Sequence, residues 1–371
     1  MKSNTQKEKE RGAVVSFFEY VYNDGMSIGD ASLKAGYTGS NMRLLRRKYF
    51  PNSFESELRE KGFNPSDWNH GWLKSEEVSV HIKNQENQIS YEEIRDEQIK
   101  EMNKYAPKYK IVKREKSKDG HLLVVDVADI HMGKLATLSD TTQEYNMDIA
   151  QKAVEDGISG LLTKASGFTI DKILLIIGND VLHVDTPHNN TTAGTHQDQD
   201  GMWHQAFIRA RKLYVHLVET LLPISDIECV FNPSNHDYMS GFMLADSLAS
   251  WFHNNKQIKF NVDLRHRKYF IYGKSLIGTT HGDGVPDTKL AKIMPTEARE
   301  MWSKAEFCYW YAHHLHHKIA KDDIGVCIEY LRSPTTADRW HSDNGLITQP
   351  AMEAFIHSKD RGQIARLTHY V

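Results

Sequence analysis

Five short polar clusters stand out along the chain: Asp129-Ile-His131, Gly178-Asn179-Asp180, Asn235-His236-Asp237, His281-Gly-Asp283 and the run His313-His314-Leu-His316-His317. Each follows an apolar run suited to a β-strand: HLLVVDVAD, KILLIIG, IECVFN, SLIGTT and FCYWYA. One polar residue after a strand is commonly a turn former. Five in series, all drawn from Asp, His and Asn, point to metal chemistry, because imidazole, carboxylate and amide together make a mixed N/O shell. Two divalent ions about 3.5–4 Å apart share a carboxylate and acidify a bridging water to hydroxide, which attacks phosphorus in line. In a D-x-H pair at a strand end, both side chains reach one ion where the strand enters its loop.

The elements that must position these clusters alternate. After the first strand comes a helix near 146–165, then strand KILLIIGND, a polar loop at 185–197, a helix near 199–222, strand IECVFN and a helix near 241–254. Three strand-like runs follow, KFNVD, RKYFIYG and SLIGTTH, then helices near 287–305 and the runs FCYWYAHH and GVCIEYLRS. This order predicts an α/β layered sheet domain with ligands at the C-terminal strand ends. In 307–312 both alternating faces are apolar, as a strand inside a sandwich requires.

The order D-x-H, G-N-D, N-H-D, H-G-D, H-x-H over roughly residues 120–320 resembles the calcineurin-like metallophosphoesterase superfamily, which includes the Mre11/SbcD nuclease branch. The resemblance implies an αββα sandwich holding two divalent ions, with Mn expected and Fe, Zn or Mg as alternatives. It implies Asp129 and His131 on metal one, Asp180 as the bridge, Asn235 and His281 on metal two, His314 on metal two and His316 on metal one. His236 would protonate the leaving group or stabilise the transition state, and Asp237 would orient His236. The chain departs from the pattern where Gly-Asp becomes Gly178-Asn179-Asp180, which leaves Asn179 as an alternative bridge. It departs again at Ser234 and His313, where Gly is usual; a His313/His317 ligand pair is the alternative register. The stretch HVDTPHNNTTAGTHQD and the segment LRSPTTADRWH (331–341) resemble phage-encoded metallophosphoesterases, which implies a phage or prophage origin. In the long loop, His183, Asp185 and His196 are candidate substrate contacts.

The chain has 371 residues and a formal net charge of −3. Residues 1–119 carry 22 Lys/Arg against 19 Asp/Glu, net +3; the remaining 24 against 30 give −6 from residue 120 onward, where most of the 20 histidines also lie. An apolar fraction of 40% excludes disorder of the whole chain. Three cysteines are too few for a disulfide framework. No apolar run suits a membrane span, and the polar start MKSNTQKEKERG has no signal-peptide core, so the expectation is a cytoplasmic protein without a membrane partner.

Residues 1–74 read as a small all-α helix-turn-helix domain, 75–119 as a charged linker or arm, and 120–371 as the metallophosphoesterase domain. Ala31, Leu33 and Ala35 precede a turn at Gly36, and Met42, Leu44 and Leu45 follow it. Arg43, Arg46, Arg47 and Lys48 would contact nucleic-acid phosphates. The resulting expectation is a phosphodiesterase acting on DNA, with nucleic acid as partner and a homo-oligomer as the other assembly to test. The alternatives are a small-nucleotide phosphodiesterase, a phosphatase, or an inert DNA-binding protein. No Arg lies within ten residues of Asp129 or His236, which tilts away from phosphoprotein substrates.

Overall fold

The computed structural model describes residues 4–22, 24, 26–49, 70–74, 79–83, 100, 108–114, 119–139 and 141–371. The chain divides into two compact units, residues 1–97 and 98–371. Much of the second half of the domain read at 1–74, and most of the charged linker read at 75–119, lie outside the described residues.

In the first unit, α1 (Asn4–Tyr22), α2 (Ile28–Lys34) and α3 (Gly39–Tyr49) pack on one another. Ser27 caps α2 through its side chain, and Gly36 makes the turn with φ +82°. Val14, Phe17, Ala31, Met42 and Leu45 form the small core. Leu33 and Leu44, among the apolar residues on either side of the turn, are 67% and 64% exposed. The α2 and α3 helices are too short to bury more than one stripe each, and Ala31, Met42 and Leu45 already fill it. Farther along, β1 (His70–Lys74) and β2 (Ser79–Lys83) pair antiparallel, across the position where the charged arm was read to begin.

The second unit is an αββα sandwich, the layered α/β domain that the alternation of elements predicts in the arrangement that the resemblance implies. Its first sheet has the order β13-β12-β3-β4-β5-β6, from β3 (His121–Asp126), β4 (Ile170–Gly178), β5 (Ile227–Asn232), β6 (Ile258–Asn261), β12 (Ala351–Ser358) and β13 (Gly362–Tyr370). The strands β3 to β6 are parallel, and β12 and β13 extend the edge antiparallel. The second sheet runs β10-β11-β9-β8-β7, from β7 (Arg267–Tyr272), β8 (Ser275–Thr280), β9 (Phe307–Ala312), β10 (Ile319–Asp323) and β11 (Val326–Tyr330). The strands β10, β12 and β13 were not read from the sequence.

Side-chain alternation sorts the core into layers. Leu123 and Val125 of β3, with Ile173, Leu175 and Ile177 of β4, join the cluster that includes α4 (Met147–Ala165), α5 (Trp203–Leu221) and α6 (Tyr238–Trp251). Their neighbours Leu122, Val124, Leu174 and Ile176 meet Phe270, Ile277 and Tyr311 between the sheets. The outer face of the second sheet, with Cys308, Trp310 and Ala312, packs on α7 (Asp287–Glu297). Burial on both faces explains the near-continuous apolar runs of the parallel strands. No described helix is long and apolar enough to cross a membrane.

Between the sheets, His357 is fully buried; its Nε2 lies 2.8 Å from the Tyr311 hydroxyl, and its Nδ1 has no hydrogen-bond partner. Burial pushes its pKa down to about 3. Between that value and the ordinary 6.5 the unfolded chain binds more protons, so stability falls as pH drops through this window. For this one group the slope reaches about 1.4 kcal/mol per pH unit. His357→Gln therefore flattens the dependence of melting temperature on pH between 6.5 and 4, measured by circular dichroism.

Candidate metal centre

The site begins with backbone geometry. Asp129, His131, Asn179, Asp180, His314 and His316 all have positive φ, between 46° and 72°. Non-glycine residues seldom adopt this left-handed region, and clusters of such strain occur where the surroundings over-determine a site. Gly178 precedes the second corner with φ +86°, and a Cβ there would collide with the Asn232 carbonyl. The corners are locked together: Asp129 N–H donates to the Asn179 carbonyl at 2.7 Å and His131 N–H to the Asp180 carbonyl at 3.0 Å.

These corners turn the side chains into two adjoining groups. Asp129, His131 and His316 form one and Asp180, His281 and His314 the other, with ligand atoms within 4.8 Å of one another in each. In the first, His316 Nε2 lies 3.1 Å from His131 Nε2 and 3.5 Å from Asp129 Oδ1. In the second, His281 Nε2 lies 3.1 Å from Asp180 Oδ2 and 2.9 Å from Asn235 Oδ1. Asp180 Oδ2 is also 4.0 Å from His131 Nε2, so this carboxylate faces both groups. Asn179 is buried with both amide atoms unpaired and makes neither contact.

Ser234 fastens this corner: its hydroxyl accepts from Asp180 N–H at 2.7 Å and donates to Asp237 Oδ1 at 2.5 Å, bonds that glycine could not supply. His314 and His316 occupy the inward positions of the histidine run. His313 is buried 3.3 Å from Asp126, and His317 is exposed.

The electrostatics are those of buried groups in close contact. Burial alone would lower the His281 pKa, but Asp180 outweighs it and holds it up at about 9. Burial would raise Asp180; His281 and His236 reverse that and hold it well below the carboxylate range. Burial, then the neighbouring His236, His316 and His183, keep the His131 imidazole neutral. The donor set fits divalent transition ions. Asp129 Oδ1 is buried without a hydrogen-bond partner, a costly state that a cation among Asp129, His131 and His316 would relieve.

His236 stands beside the first group, its ring centroid 4.7 Å from that of His131. Its backbone N–H donates to Asp180 Oδ1 at 2.9 Å, and its Nδ1 lies 2.9 Å from the His183 carbonyl. A carbonyl only accepts, so Nδ1 carries the proton. The orienting role expected of Asp237 thus falls to His183. The Asp237 carboxylate instead accepts from Ser234 and from Leu182 N–H at 2.9 Å, and burial followed by the charge of Asp180 raises its pKa to about 7.

The loop residues read as substrate contacts divide. His183 turns inward, its Nδ1 3.3 Å from His131 Nδ1, and with His131 and His236 makes a third close group. Asp185 is a correction: it accepts from Met239 N–H, Ser240 N–H, Ser240 Oγ and Thr192 Oγ1, and so caps the start of α6. His196 is exposed and pairs with Asn190 at 3.3 Å.

In the first unit, Arg43 is exposed, whereas Arg46 stacks on Phe17 and Phe18 at 5.0 Å each and Lys48 pairs with Glu10 at 3.1 Å. The side chain of Arg47 lies outside the described residues. Sequence reasoning missed Lys134, fully buried beside the first group, its partner Asp338, and His341, which pairs with Asp338 in turn.

No protein-family model matches the chain, and no curated protein matches it. Solved structures resemble it at low scores. An archaeal phosphodiesterase is 8% identical, with 67% of this chain and 99% of that chain covered and a TM-score of 0.33. Zinc-complexed Vps29 from Entamoeba histolytica is 12% identical, covering 67% and 98%, TM-score 0.30. A predicted phosphoesterase from Streptococcus pneumoniae is 11% identical, covering 69% and 100%, TM-score 0.27.

Asp185→Ala removes the acceptor for the first turn of α6 and leaves its N–H groups unpaired. It lowers stability by about 1–3 kcal/mol in urea denaturation.

Proposed function

We propose that this chain is a two-metal phosphoesterase of the calcineurin-like type that hydrolyses phosphodiesters, with nucleic acid as its substrate class. The observation that carries the reading is the Asp180 carboxylate, whose Oδ2 is 3.1 Å from His281 and 4.0 Å from His131, facing two histidine–carboxylate groups at once. Asp129, His131, Asp180 and His316 would hold one ion, and Asp180, Asn235, His281 and His314 the other. Two such ions, Mn being the expected pair, supply charge stabilisation to a phosphoryl group and acidify water.

The chain's own residues do the rest. The neutral His131 and the hydrogen-bonded Asp180 present lone pairs without prior loss of a proton. His236 has its Nδ1 fixed by the His183 carbonyl, which leaves Nε2 as the atom that holds or delivers a proton to the leaving oxygen. The nucleic-acid reading draws on the net +3 of residues 1–119 and on the exposed Arg43.

Hydrolysis of bis(p-nitrophenyl) phosphate by the Mn-loaded full-length chain tests the reading. Turnover is expected, abolished by chelator and restored by metal. His236→Ala lowers kcat by about 10²–10⁴-fold, and Asp180→Asn lowers both metal uptake and turnover. Absence of turnover with Mn, Fe, Zn and Mg contradicts it. For the substrate class, Arg43→Glu with Arg47→Glu weakens binding of a DNA oligonucleotide and reduces its salt dependence by about one unit of log–log slope per lost phosphate contact, read by fluorescence anisotropy.

A further inference from the structure

The loop after β3 and the segment after β11 are tied to one another at several points. Ser333 Oγ donates to the Asp129 carbonyl at 2.8 Å. Lys134 Nζ donates to the Thr336 carbonyl at 2.7 Å and pairs with Asp338 Oδ2 at 3.2 Å. Lys134 is fully buried, a position a lysine holds only when its charge is matched. The other Asp338 oxygen, Oδ1, receives both the His341 backbone N–H at 2.9 Å and its ring Nδ1 at 2.7 Å. This fork fixes the plane of the His341 ring. That ring lies flat against His316, with centroids 5.2 Å apart and planes at 14°. His316 is in turn 3.5 Å from Asp129 and 3.1 Å from His131.

We propose that residues 333–341 act as a strap, anchored on the buried Lys134, that presses His341 against His316 and so positions the ligand set Asp129, His131 and His316. The inference rests on the two-metal reading and adds positioning residues that the five polar clusters do not contain. The strap touches only one of the two groups: Asp180, His281 and His314 make no contact with Lys134, Asp338 or His341 among the described interactions. Its loss therefore acts on one ion and spares the other. Partners that orient metal ligands govern metal affinity by about 10–100-fold.

Titration of the full-length apo-protein with Mn, followed by electron paramagnetic resonance, reads the two sites separately. Lys134→Met removes the buried charge with a side chain of similar length, and His341→Ala removes the stacked ring. In both, one Mn site weakens by about 10–100-fold while the other keeps the parent's affinity. His341→Phe restores a flat ring and recovers most of the loss. Hydrogen exchange on the metal-free protein adds a second readout: amides of 335–341 exchange faster in Lys134→Met, and those of β3 to β5 do not.

Two intact Mn sites in both variants overturn the strap and leave the two-metal reading standing. Equal weakening of both sites, with faster exchange throughout the sheet, also overturns it, because that is a general loss of structure. A parent that binds no Mn pair overturns the two-metal reading and the positioning role with it. In that event unchanged exchange at 335–341 would show separately that the anchor is absent.

Discussion

Two carboxylates, Asp129 and Asp180, sit buried at the ends of adjacent strands, and everything around them answers to that constraint. An ionised carboxylate out of water is tolerated only beside positive charge or several donors. Asp180 has His281 against one oxygen and the His236 backbone N–H on the other; Asp129 has the His314 N–H at 3.2 Å and His316 at 3.5 Å. Asp129 Oδ1, which has His316 nearby but no hydrogen bond, marks where the protein alone does not complete the arrangement. A divalent cation is the simplest completion, since it matches the carboxylates and the neutral imidazoles together.

The sandwich makes this possible by separating two tasks. Its apolar layers, Leu122 to Val125 in β3 and Ile173 to Ile177 in β4, hold parallel strands in register, so that their C-terminal ends lie side by side. The loops leaving those ends then turn through left-handed residues that aim polar side chains at common points. The strained corners persist because they are bonded to each other, as in Asp129 N–H to Asn179 and His131 N–H to Asp180, and because Ser234 and Asp237 brace them from beneath. Stability of the core and strain at the site are thus coupled: a weaker sheet would let the corners relax and scatter the ligands.

Much of this was legible in the residues. The parallel strands announce themselves as apolar runs, and the ends of those runs carry the polar clusters, so the layered fold and the gathering of these clusters at the strand ends follow from pattern and spacing, whereas the individual ligands Asp129, Asn235 and His281 were implied by the family resemblance. The choice between Asn179 and Asp180, and the register of the histidine run, turn on single-residue backbone rotations that no spacing encodes. Lys134, Asp338 and His341 were hidden for a different reason. Their partnership spans some 200 residues, and a buried lysine looks in sequence like any surface lysine. The strands β12 and β13 are bounded by Pro350 and by the turn Lys359-Asp-Arg-Gly362, but their place at the sheet edge is set by pairing with β3 across more than 200 residues, which no local pattern encodes. Asp185 read as chemistry and serves as a helix cap, because an aspartate beside a glycine- and threonine-rich loop has the same appearance in either role.

Anomalous diffraction from crystals grown with manganese tests the central claim most directly. The account predicts two peaks about 3.5–4 Å apart, one among Asp129, His131, Asp180 and His316 and the other among Asp180, Asn235, His281 and His314. A single peak, or peaks remote from Asp180, would contradict it.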